Sequence, residues 1–313
     1  MINTSRFAKK LTSGNHTITV EISPPKGSDV SRMLDCIRPI ADQVDAINVP
    51  DCQRSILKMS SMATAKIIQD ELGIETVWQL TGRDRNILAL QSDLLGGWAL
   101  GLQTVLALTG DPVSIGDQSE VAKQVSHLDA LRLLELVKSL NHGKDAVGKD
   151  FIRGGTQFCY GAALNPHKMS RDAQIHRLKY KLGLGVQFFQ TQPVYDVKTV
   201  IETQAVIQEI CETNRYPIPK LMVGIIPPKS AEFARFMNQK IPGVEIPEAF
   251  IAKLDKSADP PMESIRFCAD LVHQMAPHAG GFHFMPVGME KHAKPMLDAC
   301  FSQGSGVKRL KVL

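Results

Sequence analysis

Short apolar runs recur along the chain: HTITVEI (16–22), VDAINVP (44–50), ETVWQLT (75–81), TVLALTG (104–110), FCYGAAL (158–164), VQFFQTQ (186–192), KLMVGII (220–226) and GFHFMPV (281–287). They are rich in β-branched residues and mostly end on Pro, Gly, Thr or Asn, which reads as strands. Between them the apolar positions recur every three or four residues, as in VSRMLDCIRPIADQ (30–43), SILKMSSMATAKIIQDELG (55–73), NILALQSDLLGGWALG (86–101) and VKTVIETQAVIQEICE (197–212), which predicts helices. Gly73 and Gly101 follow two of these patterns where a helix C-cap belongs. Eight strands alternating with helices is the arithmetic of an α/β protein of the (β/α)8 TIM-barrel class, as one domain over residues 1–313. The seventh connection, 229–254, is long enough for two shorter helices, and residues 112–126 form a polar loop directly after a strand. An open doubly wound sheet would carry a glycine-rich fingerprint in an early strand–helix turn. The spaced glycines Gly96, Gly97 and Gly101 lie inside or at the end of a helix instead, where close packing on a strand explains them.

Chemistry in such barrels gathers at the C-terminal ends of the strands. Reading those ends gives a polar ring: Glu21 and Ser23; Asn48 and Asp51; Gln79, Thr81, Arg83 and Asp84; Thr109, Gly110 and Asp111; Asn165; Gln190 and Gln192; Lys229; His283. Glu21 closes an apolar strand that the two prolines of VEISPPKG stop abruptly. A carboxylate there either works as an acid at the mouth or pairs with a lysine or arginine from a neighbouring strand, and position alone favours neither. Asp111, in LTGDPV, is a second carboxylate that by itself reads as a turn residue, with Gly110 allowing close backbone approach. Gln192 ends a very apolar strand, and a buried amide there needs partners such as the edge of a heterocycle.

Composition narrows the classes. Thirty-six basic against 32 acidic residues give a net charge of +4, with the basic residues scattered except for VKRLKV at 307–312, so a nucleic-acid partner is not expected. No run approaches the ~18 apolar residues of a membrane span, and the first residues lack the apolar core of a signal peptide. Six cysteines without a CxxC spacing read as reduced packing residues of a cytoplasmic protein, and nine histidines without an i, i+4 pair argue against zinc.

The stretches VEISPPK, VDAINVPD, QLTGRDRNILALQSDLLGGWALGLQTVLALTGDP, GAALNP, LKYKLGLGVQFFQTQPVYD and VGIIPPKSAEFARFMN resemble the methylenetetrahydrofolate reductase family, over about residues 5 to 302. The resemblance implies a catalytic barrel of bacterial type, without the regulatory domain of the eukaryotic enzymes. It implies FAD held without a Rossmann domain, NADH or NADPH as electron donor, and ping-pong reduction of 5,10-methylenetetrahydrofolate to 5-methyltetrahydrofolate in one-carbon metabolism, including methionine biosynthesis. It gives Glu21 as the acid that protonates N10, Asp111 as the carboxylate near flavin and pterin, and Gln192 as a folate-binding amide. Asn48, Gln79, Thr81, Thr109, Gly110, Ala162, Asn165, Arg177 and Lys181 fall in its flavin-binding segments, and Phe233 in its folate or nicotinamide face. This chain departs from the family at Gln79, where a histidine is usual, at Leu164 and Ala231, where aromatic residues are usual, and at Arg177, where a polar amide is usual. Those departures motivate alternatives: a folate-binding subunit that takes electrons from a partner protein, or a flavin-independent variant of the same reductase. Apolar outer-helix faces suggest a homo-oligomer.

Overall fold

Alternation within each apolar run decides which side chains fill the barrel and which face the helices. The computed structural model describes residues 3–151, 153–168, 172–241 and 243–301; the basic stretch at 307–312 lies outside them. Eight parallel strands close in sequence order: β1 (Thr17–Glu21), β2 (Ala46–Val49), β3 (Thr76–Thr81), β4 (Thr104–Leu108), β5 (Cys159–Leu164), β6 (Phe188–Pro193), β7 (Lys220–Ile225) and β8 (Gly281–Phe284). The helices are α1 (Arg6–Leu11), α2 (Ser31–Ile37), α3 (Ser61–Leu72), α4 (Ile87–Ala99), α5 (Ala130–Asn141), α6 (Asp172–Leu184), α7 (Val197–Asn214), α8 (Ala231–Lys240), α9 (Glu248–Lys256), α10 (Pro260–Met275) and α11 (Ala293–Cys300). The fold is therefore the (β/α)8 barrel that the periodicity predicts, and the seventh connection carries two short helices, α8 and α9, ahead of the longer α10.

Two apolar layers hold it. The larger packs outward-facing strand residues such as Ile18, Trp78, Val105, Tyr160 and Phe282 against the helices. The smaller fills the lower barrel with Ala46, Val77, Leu106, Cys159, Phe188 and Met222, one from each of six strands, closed by Phe7 and Leu11 of α1. Gly161 is required here, because a Cβ on it would lie 2.4 Å from the Phe188 ring. Gly97 serves the outer layer in the same way: its Cβ would meet Trp78 at 2.6 Å, whereas Gly96 faces open space.

Helix α1 is not visible in the periodicity, being only 6 residues long. Its ends are clamped by charge. The Glu75 carboxylate accepts from the Ser5 hydroxyl and from the Arg6 and Phe7 amides, at 2.5, 2.6 and 3.0 Å. The Lys220 ammonium donates to the Lys10, Ser13 and Asn15 carbonyls, at 3.0, 3.0 and 2.6 Å. An anion at the N-terminus and a cation past the C-terminus both complement the helix dipole.

One predicted helix starts later than its pattern. Residues 55–60 form a loop, and α3 begins at Ser61 behind the Ser60 cap. The cause is competition for backbone N–H groups: Asp111 takes that of Arg54 and Asp117 that of Leu57, at 2.6 and 2.9 Å. Cys52, Arg54 and Ser55 accordingly adopt left-handed backbone angles, with φ of 47°, 57° and 56°.

Replacing Lys220 by Met strips three carbonyls of their donor and should lower stability by about 2 kcal/mol, as should Glu75→Ala at the other end of α1. Urea unfolding checks this, with the midpoint falling at constant slope.

Candidate active site

Above the lower apolar layer the inward positions turn polar, and the barrel buries them together. Asn48 and Gln190 exchange two amide hydrogen bonds, Asn48 Nδ2 to Gln190 Oε1 at 2.7 Å and Gln190 Nε2 to Asn48 Oδ1 at 3.1 Å. Gln190 Nε2 also reaches Thr19 Oγ1 at 3.3 Å, and Thr19 Oγ1 lies 2.9 Å from His283 Nδ1. The other ring nitrogen, His283 Nε2, faces Glu21 Oε2 at 3.7 Å, and that oxygen accepts from Gln79 Nε2 at 2.8 Å. Glu21 keeps 19% of its side chain exposed while His283 keeps 3%. Among the described residues no lysine or arginine pairs with Glu21; its partners are a neutral amide and an imidazole.

The loops over this layer are tied by a second polar group. Arg83, 2% exposed, grips Asp84 with Nε and Nη2 at 2.7 and 2.6 Å, and its Nη1 donates to the Cys52 carbonyl at 3.1 Å and the Asp111 carbonyl at 3.5 Å. Its own carbonyl accepts from Val125 and Ser126. One guanidinium thus joins the loops that follow β2, β3 and β4. Beneath it the buried Asp51 accepts from the Thr81 amide and hydroxyl and from Arg85, whose Nη1 lies 2.7 Å away. Lys26, from the loop after β1, pairs with Asp117 at 2.5 Å.

The residues of the flavin-binding reading distribute unevenly. Asn48 and Gln79 are buried in the polar layer, each already bonded to another side chain. Thr81 spends its hydroxyl on Asp51, and Thr109, exposed, accepts from the Ala130 amide at 3.1 Å. Gly110 has φ +88°, and a Cβ there would crowd Arg83 and Thr81 at 2.9 and 3.1 Å. Ala162 and Leu164 lie in the outer core, so their side chains face the helices and the inward position on β5 is Ala163. Asn165 accepts from the His167 amide. Arg177 is exposed, 3.7 Å from Asp129. Lys181 is held under the β5 exit, where its amine donates to the Ala163 carbonyl at 2.7 Å. Burial, with Arg177 nearby, pulls that amine down from 10.5 to about 8.

On the folate side the sequence reading needs one correction. Gln192 is not buried: it is exposed at the rim, and the buried amide of β6 is Gln190, two residues earlier, before the register of β6 on β7 shifts between Gln190 and Pro193. Asp111 is exposed, and its carboxylate is engaged by the Arg54 amide in the loop after β2. Phe233 is half-buried, stacked on Phe236 at 6.2 Å, with the Lys229 amine 5.5 Å above its ring. Ala231 is buried beneath it at the start of α8.

A barrel with a carboxylate held by an amide and an imidazole at its mouth belongs to many chemistries, and likeness to known proteins decides among them. The family model for methylenetetrahydrofolate reductase matches residues 6–300. The chain belongs to that family. Curated family members from yeasts are similar: methylenetetrahydrofolate reductase 2 of Saccharomyces cerevisiae is 26% identical over 263 residues, covering 79% of this chain and 40% of the relative. Methylenetetrahydrofolate reductase 1 of Schizosaccharomyces pombe is 26% identical over 242 residues, covering 74% and 36%. The chain therefore matches well under half the length of these relatives. Among solved structures, an uncharacterised protein from Clostridium thermocellum, described as binding two copies of 5-methyl-5,6,7,8-tetrahydrofolic acid, superposes with a TM-score of 0.63 at 16% identity over 93% of this chain and 94% of its own. That likeness is one of fold.

Within this family member, three contributors escaped the sequence reading. Thr19 sits two residues before Glu21 on the same strand face, so alternation alone could have found it. Arg85 follows Arg83 by two positions in GRDRN, a spacing that carries no chemistry until the loop folds back on Asp51. The Lys26–Asp117 pair spans 91 residues and has no local signal.

Asp51→Asn removes one of the two carboxylates that pair with Arg85, leaving Asp93 at 3.0 Å, and should cost about 1 to 2 kcal/mol of stability, measured by urea unfolding. Lys181 should titrate near 8 in 13C NMR of the dimethylated protein. Its lowered folded value means that the unfolded chain binds more protons between about 8 and 10.5, so stability should rise with pH across that window; because burial lowers the Lys220 amine to about 8 as well, Lys181→Met should make the rise shallower and leave the share of Lys220.

Proposed function

We propose that the chain reduces 5,10-methylenetetrahydrofolate to 5-methyltetrahydrofolate with electrons from NADH or NADPH, through FAD and with ping-pong kinetics. The observation that carries this reading is Glu21: a carboxylate at the mouth of a barrel of this family, held by an amide and an imidazole and paired with no lysine or arginine among the described residues. Such a group is available as an acid. Its proton goes to N10 of the substrate, the N10–methylene bond breaks, and the methylene carbon becomes an iminium carbon on N5 that accepts hydride. Gln192, exposed at the rim two residues beyond the buried Gln190, is the amide assigned to the pterin, and Phe233 with Lys229 offers a ring and a cation at the adjacent exit, after β7. The names of the yeast relatives and the folate described in the Clostridium thermocellum neighbour support the same substrate.

The donor set also fits an anionic cofactor. Lys181 and Arg177 lie four residues apart on α6, and the Lys181 amine is buried against a carbonyl and forms no ion pair with a carboxylate among the described residues, which suits a diphosphate. When bound, FAD supplies a two-electron relay between nicotinamide and folate. Gln79 favours a second reading: its amide is spent on Glu21, leaving less to hold a flavin, so that electrons come from a partner protein or directly from the nicotinamide. Exposed Leu88, Leu95 and Leu100 in and beside α4 support self-association into a homo-oligomer. Among the described residues no helix is long and apolar enough to cross a membrane, in keeping with a cytoplasmic enzyme.

An absorbance spectrum of the purified protein between about 350 and 500 nm tests the cofactor, since flavins carry a double band there. A flavin band bleached by NADH or NADPH and restored by methylenetetrahydrofolate is the expected result; a colourless protein that reduces methylenetetrahydrofolate establishes the second reading, and one that turns over no folate with any donor overturns both. Glu21→Gln should lower folate-dependent reoxidation by about 10²- to 10⁴-fold while leaving reduction by the nicotinamide nearly unchanged.

A further inference from the structure

We propose that His283 is the positioning residue for Glu21: its Nε2–H and the Gln79 amide both donate to Glu21 Oε2, which leaves Oε1 as the atom that carries the acid's proton. The inference deepens the reading of Glu21 as the proton donor and rests on it.

The assignment follows from counting protons along the buried chain. Asn48 and Gln190 satisfy each other reciprocally, and this uses one N–H and the oxygen of Gln190. The second Gln190 N–H points at Thr19 Oγ1, 3.3 Å away, so Thr19 accepts there and keeps its own proton to give. His283 Nδ1, at 2.9 Å, is the acceptor assigned to that proton. A ring whose Nδ1 accepts carries its one proton on Nε2, and Nε2 is the atom that faces Glu21. The 3.7 Å gap is longer than a hydrogen bond, and gaps of this size at catalytic groups close when substrate binds. With Gln79 already donating at 2.8 Å, Oε2 then receives two N–H groups and has no place for a hydrogen of its own.

The chemistry gains in two ways. The acidic hydrogen is confined to Oε1, so the carboxyl cannot turn its proton toward the barrel floor. When the Oε1–H bond breaks and the substrate nitrogen gains the hydrogen, the electron pair stays on the carboxylate, and two neutral donors stabilise the charge that appears there. Solvent water returns the proton after product leaves. Gln79 matters to this arrangement because an amide donates without titrating, so His283 is the one titratable neighbour of Glu21 among the described contacts.

The test begins without substrate. Two-bond 1H–15N correlation spectra of 15N-histidine-labelled protein should show His283 protonated on Nε2 and bare on Nδ1 at pH 7.5. A ring protonated on Nδ1 would mean that the Thr19 hydroxyl accepts from both Gln190 and His283, and it would overturn the assignment, as would a doubly protonated ring. In Thr19→Val, where Nδ1 loses its donor, both tautomers should appear; an unchanged spectrum overturns the role of the chain. In turnover, His283→Leu should lower kcat for folate reduction about 10- to 100-fold with KM within about threefold, and His283→Gln, which restores an N–H donor, should recover most of the loss. Loss of less than twofold in His283→Leu, or no recovery in His283→Gln while circular dichroism shows it folded, overturns the proposal. Should the tautomer be as expected while wild-type protein reduces no folate, the reading of the substrate fails and the assignment of the histidine stands.

Discussion

Inside a closed parallel barrel a polar side chain bonds mainly to other side chains, because most backbone groups of the strands are already taken by the sheet. This constraint shapes the upper half of the molecule. Thr19, Asn48, Gln79, Gln190 and His283 come from five different strands, and all are nearly fully buried. They are tolerable there because each finds a partner in the others or in Glu21. Glu21 is where that set ends and solvent begins. Its carboxylate is therefore held by the barrel from below and open to a ligand from above, which is the arrangement a proton donor needs.

The lower half makes this possible by being dry. Phe188 fills the space left by Gly161, Phe7 and Leu11 of α1 close the bottom, and Glu75 and Lys220 hold that helix at its two ends. With the bottom closed, the polar layer communicates with solvent at the mouth. There the loops are fixed to one another through Arg83, Asp51 and Asp117, so the strand ends carry a framed opening. The left-handed angles at Cys52, Arg54 and Ser55 belong to that frame: the loop after β2 is bent to meet carboxylates of the loop after β4.

The barrel was legible in the chain because its signals are local and repeated, a β-branched run followed by a helical period, eight times over. The polar ring was legible for the same reason, since a strand end is recognised by the residues that stop it. What the sequence could not carry was direction and depth. Alternation places Gln190 and Gln192 on the same face, but only the closed barrel shows that one lies in the interior and the other at the rim. The family resemblance puts Ala162 in a flavin-binding segment and Leu164 where an aromatic residue is usual, whereas the pleat turns both toward the helices. The late start of α3 and the Lys26–Asp117 pair depend on contacts between loops far apart in sequence, and no short window contains them. Family resemblance added roles that geometry alone would not have named, and its departures became interpretable once Gln79 was seen to bond Glu21.

The most direct measurement is a crystal structure of the protein with 5-methyltetrahydrofolate bound. The account predicts the pteridine over the polar layer, with Glu21 Oε1 within about 3 Å of N10, directly or through one water, and Oε2 still facing Gln79 and His283. A folate bound away from β1, or a Glu21 carboxylate turned from N10 toward the barrel floor, would contradict it.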